Sequence, residues 1–73
     1  MFDVNVVSAN RVRHYSVAPA NATGWEVKLE ENHAVRWKEN YQDWHRVERI
    51  LNRMRREVSE LVEQGWTVLP ANR

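Results

Sequence analysis

Apolar and polar residues alternate with period two through the first half of the chain, then change to a helical period. Phe2, Val4 and Val6 alternate with Asp3 and Asn5 within residues 1–10, the signature of a half-buried strand or of an adhesive N-terminal arm. Residues 11–18 carry Tyr15 and Val17 on one parity and end at Pro19, after which the polar stretch 20–24 predicts a loop. Trp25, Val27 and Leu29 alternate with Glu26, Lys28 and Glu30 in the clearest strand of the sequence, and Val35 and Trp37 flank Arg36 in residues 34–38. Over residues 41–63 the period changes: Trp44, Val47, Leu51, Met54, Val58 and Leu61 recur at steps of three and four, which keeps them on one helix face. A last short strand is predicted over residues 66–69 before Pro70. These elements predict a single α+β domain over residues 1–73, a small antiparallel sheet of three or four strands packed on one long amphipathic helix.

Local signals refine the joints. A two-residue turn at Glu31-Asn32 would set Val27 against Arg36, whereas a three-residue turn at Glu31-Asn32-His33 pairs Leu29 with Val35 and Val27 with Trp37, so the longer turn is expected. Asn40 is a suitable helix N-cap with Asp43 three residues on. Gly65 suits the left-handed position after the helix, with Trp66 folding back onto Leu61. A rod over residues 41–63 is about 35 Å long, against about 17 Å for a five-residue strand, so part of its apolar stripe is expected to overhang the sheet. Such an overhang would mark an interaction site.

Composition narrows the chemistry. A chain of 73 residues buries only about 60% of its unfolded surface, so its core is small. With no cysteine there is no disulfide framework and no thiolate zinc site. No apolar run approaches membrane-spanning length and no basic-then-apolar leader opens the sequence, so a soluble, cytoplasmic protein without membrane contact is expected. Catalytic signals are weak: His14, His33 and His45 lie on different elements, Asp43 and His45 do not share a helix face, and two glycines cannot build a phosphate cradle. No enzyme activity, metal or cofactor is expected.

Charge is more informative. The net charge of +1 hides an asymmetric helix: Arg46, Arg49, Arg53 and Arg56 form a row roughly opposite the apolar stripe, followed by Glu57, Glu60 and Glu63. This order opposes the helix dipole at both ends, and i,i+4 pairing of Arg53 with Glu57 and Arg56 with Glu60 recovers little. An arginine row is often only a solvated face, and Trp25, Trp37, Trp44 and Trp66 all sit where the pattern points inward. As a contact surface, Arg46, Arg49, Arg53 and Arg56 with Arg11 and Arg13 would meet acidic protein or phosphate, Phe2 and Val4 would anchor by burial, and Trp66 stands at the helix end. A near-neutral total and an acidic second helix half favour a protein partner over a small nucleic-acid-binding role for the arginine face. An antiparallel copy of the helix would match basic half to acidic half, so a homodimer is a further, less favoured arrangement.

The chain from Met-Phe-Asp-Val-Asn-Val-Val through Trp-His-Arg-Val-Glu-Arg-Ile-Leu to Gly-Trp-Thr-Val-Leu-Pro resembles the small transcription regulators and antiterminators of Xanthomonas-type bacteriophages. The resemblance spans the whole chain and carries no short diagnostic motif. It implies a non-catalytic protein that binds host RNA polymerase through the N-terminal part of its largest subunit. Such a protein disfavours sigma-dependent initiation and promotes antitermination; a basic helix at the RNA-exit region is also compatible with contact to emerging RNA.

Overall fold

The computed structural model describes residues 2–70, so Met1 of the expected N-terminal arm lies outside the described residues. Strands β1 (Phe2–Ser8), β2 (Arg11–Pro19), β3 (Trp25–Glu31) and β4 (Ala34–Tyr41) lead into helix α1 (Trp44–Glu63), and β5 (Thr67–Pro70) follows. The sheet is antiparallel in the order β4-β3-β2-β1-β5. Four strands therefore form a meander, and the chain returns after the helix to close the far edge of β1. The expected α+β architecture is present, with five strands where three or four were expected.

Period-two alternation decides which face is covered. Val6, Tyr15, Val17 and Val27 are buried beneath Val47, Leu51, Met54 and Leu61 of α1, with Trp66 completing the core. The helix touches all five strands. Residues of the other parity, among them Asp3, Asn5, His14 and Glu30, lie on the open face, where Asn5 and Glu30 pair with His14 from either side.

β1 does not form a free arm. It is hydrogen-bonded to β2 on one side and to β5 on the other, and Phe2 and Val4 pack against the core of their own molecule. From Val4 to Val7 both edges are paired, which leaves no backbone there to lend to a partner.

The β3–β4 joint differs from expectation. Asn32 and His33, at φ +52° and +69°, form a two-residue turn of the type that matches strand twist. Glu31 pairs with Ala34 and Glu30 with Val35, and a bulge then sets Leu29 opposite Trp37. Two contacts pin the turn to β2: Asn32 N donates to Val12 O at 2.8 Å, and Val12 N donates to Asn32 Oδ1 at 3.0 Å. This turn lies one residue after the two-residue alternative at Glu31-Asn32, and the bulge leaves Arg36 without a cross-strand partner and 65% exposed, so no arginine is buried.

The helix starts later than expected because β4 runs through Asn40 to Tyr41. Asp43 is the N-cap, its side chain accepting from His45 N at 3.0 Å. The C-terminal end follows the expected motif: Gly65 adopts φ +104°, Trp66 N donates to Leu61 O at 3.0 Å and Gly65 N to Val62 O at 3.0 Å. The expected overhang is confined to the two helix ends, where Trp44 is 37% and Val62 44% exposed. The 20 residues of α1 span about 30 Å, and the nine residues of β2 span about the same. Apolar residues from Val47 to Leu61 are covered, and Trp44 packs on Trp25 with ring centroids 5.1 Å apart.

Candidate binding groove

Val6, Val17 and Val27 under the helix are almost fully buried, whereas β4 is exposed at every position but its last. The space between the helix flank and β4 is a groove of about 400 Å³. Tyr15, Leu29, Trp37 and Tyr41 supply its sheet side, Ile50 and Met54 its helix wall, Arg46, Arg49 and Arg53 a basic rim, and Glu57 one end. The bulge matters here: by pairing Trp37 with Leu29 it puts the indole on the helix side of the sheet, 36% exposed. An edge strand lying partly outside the helix footprint leaves this aromatic surface open.

The rim is uncompensated. Among the described residues, no carboxylate lies within 4.0 Å of Arg46, Arg49, Arg53 or Arg56. Neither expected i,i+4 pair forms, and Arg53 loses its partner because Glu57 is taken by the sheet: the Tyr15 hydroxyl donates to its Oε2 at 2.5 Å, and Arg13 Nη1 stands 3.6 Å away. Burial, then the hydrogen bond to Glu57, pushes the Tyr15 hydroxyl up to about 12, so it remains a neutral donor. Arg46 lies over the Tyr41 ring at 5.8 Å, a cation–π contact that orients it at the groove's other end.

The remaining site residues expected from sequence are distributed elsewhere. Arg56 is exposed but outside the groove lining. Arg11 and Arg13 lie over the Trp66 ring at 5.1 and 5.6 Å, and both face Glu31, at 2.7 and 3.8 Å. They serve an internal charge cluster. Trp66 is 9% exposed and belongs to the core, as Phe2 and Val4 do in part. Sequence reasoning thus found the three rim arginines and missed the floor, since Trp37 reads as an ordinary inward position and only the bulge and the edge placement of β4 leave it 36% exposed beside Tyr41 and the buried Tyr15 and Met54.

On the open face His14 bridges three strands. One ring nitrogen lies 2.9 Å from Glu30 Oε1 and the other against Asp3. Partial burial pulls its pKa down, but the hydrogen bonds to Glu30 and Asp3 outweigh this and raise it above the ordinary histidine value. Among the described residues no group of three histidine or acidic side chains is arranged to hold a metal ion, and no helix is long and apolar enough to cross a membrane. Comparison with protein-family models, with curated proteins and with solved structures finds no match. Function is therefore argued from the groove: an apolar floor with cations on one rim can hold an apolar side chain and an anion together.

Proposed function

We propose that this protein is a non-catalytic regulator that binds a bacterial RNA polymerase, inhibits sigma-dependent initiation and promotes antitermination. The observation that carries the binding part is the set of three guanidiniums, Arg46, Arg49 and Arg53, with no carboxylate within 4.0 Å among the described residues, beside an exposed Trp37 and a half-buried Tyr41. The resemblance to phage antiterminators supplies the partner, the N-terminal part of the largest polymerase subunit. Tryptophan, tyrosine, methionine and arginine are the residues enriched in the centres of protein interfaces, and lysine is depleted there. The groove holds all four and no lysine. The guanidiniums would steer and orient an acidic surface, and displacement of water from the aromatic floor would retain it.

Arginine beside aromatic rings also suits single-stranded RNA, with bases stacked on the rings and phosphates on the rim. Capture from a bacterial lysate, with and without nuclease and at two salt concentrations, separates the readings. Nuclease-resistant capture of polymerase, lost in an Arg46→Ala/Arg49→Ala/Arg53→Ala variant that still folds, supports the proposal. Unchanged capture by that variant removes the groove from it, and nuclease-sensitive capture replaces it with the RNA reading.

A further inference from the structure

The groove has a direction. Along one stripe of α1, at steps of three and four, the side chains read Arg46, Arg49, Arg53, Glu57, Glu60. The cationic end lies over Tyr41, where Arg46 packs on the ring. At the other end Glu57, 41% exposed, accepts from the Tyr15 hydroxyl and stands 3.6 Å from Arg13, and Glu60 is exposed with no cation within 4.0 Å among the described residues, so that end is acidic and only partly compensated.

We propose that the groove takes an extended peptide segment of fixed polarity, its carboxylates at the Tyr41–Arg46 end, a large apolar side chain over Trp37 and Met54, and a cationic or neutral residue toward Glu57 and Glu60. This rests on the protein-docking reading above and names the chemistry of its partner. From Arg46 to Glu57 the helix rises about 16 Å, enough for about five extended residues. Guanidinium planes match carboxylates in paired hydrogen bonds, which an exposed cation of any other shape does less well. A carboxylate at the start of the helix also meets the positive end of the dipole, relieving the misplaced arginine of the first turn. A continuous phosphate chain fits worse: after Arg53 it would run into Glu57 and Glu60.

The test uses the full chain and three labelled probes: peptides Asp-Asp-Gly-Phe-Leu-Lys-Lys and Asp-Asp-Gly-Phe-Leu-Asp-Asp, and a single-stranded oligoribonucleotide of similar length, titrated by fluorescence anisotropy near physiological salt. The peptide with unlike ends is expected to bind about fivefold more tightly than the one acidic at both. Glu57→Gln should narrow that difference, and so should Glu60→Gln, an exposed change that leaves the Tyr15 contact untouched. Equal binding of the two peptides, a preference that survives both substitutions, or tighter binding of the RNA would each overturn the proposal. Loss of polymerase capture in the triple arginine variant together with equal peptide binding would leave the docking reading standing and remove only its polarity.

Discussion

At the residue scale, single side chains carry separable duties. Trp37 makes the groove floor and lies outside the buried core, yet is only 36% exposed, so Trp37→Ala should lower the unfolding free energy measured in urea by about 2 kcal/mol and weaken partner binding by tenfold or more, read by titration on the folded variant. Gly24 is different. It adopts φ +80°, and a Cβ there would stand 2.2 Å from the carbonyl oxygen of Tyr41. Gly24→Ala should therefore cost about 2 kcal/mol or more in chemical denaturation, because neither the backbone angle nor the opposing carbonyl can give way cheaply. His14 sets a pH dependence. Its folded pKa is raised, against partial burial, by hydrogen bonds to Glu30 and Asp3. The stability it contributes is fully present below the ordinary value of 6.5 and is lost as pH rises through the folded value. Glu30, held low by the His14 hydrogen bond, contributes stability that is present above 4.5 and lost as pH falls through its folded value. Thermal midpoints should thus be highest between those two values and fall on either side. In His14→Gln the fall on the alkaline side should flatten.

At the scale of elements, the helix depends on its ends. Asp43 is the N-cap, and no acidic residue in the first turn assists it. Asp43→Ala should lower stability by about 1 kcal/mol, measured as a shift of the denaturation midpoint, whereas Asn40→Ala, within β4, should cost no cap. The C-terminal motif at Gly65 was legible because only glycine accepts that backbone angle easily and Trp66 is placed to meet Leu61. The N-terminal cap was not. Asn40 and Asp43 are both good capping residues, and the choice between them follows from how far β4 pairs with β3, a long-range fact. The β3–β4 register was hidden for the same reason: alternation alone gives no sign of a bulge, whereas contacts from Asn32 to Val12 across the sheet favour the shorter turn.

For the molecule as a whole, the placement of β5 and the length of β2 decide what is left to bind. A five-stranded sheet supports the apolar stripe of α1 from Val47 to Leu61 and leaves only Trp44 and Val62 exposed at its two ends, so hydrophobic overhang is a minor part of the adhesive surface. The open surface lies instead between helix and edge strand. The triple variant Arg46→Ala/Arg49→Ala/Arg53→Ala should keep its fold, since none of these residues is buried or ion-paired among the described residues. Its circular dichroism and melting should match the parent while the salt dependence of partner binding falls, because fewer charges are then neutralised on docking.

Local pattern was sufficient for what depends on neighbours along the chain: the period-two strands, the amphipathic rod, its glycine stop and the row of exposed arginines, three of which stand on its flank at the groove rim. These follow from side-chain geometry within a few residues. Tertiary structure alone decided the rest. It made the N-terminal segment an interior strand, drew Glu57 away from Arg53 to Tyr15, folded Trp66 inward beneath Arg11 and Arg13, and opened an aromatic floor beside the arginines. Those outcomes depend on which strands pair and where a bulge falls, and such pairings are fixed by the burial of the whole sheet against the helix, not by the sequence of any one segment.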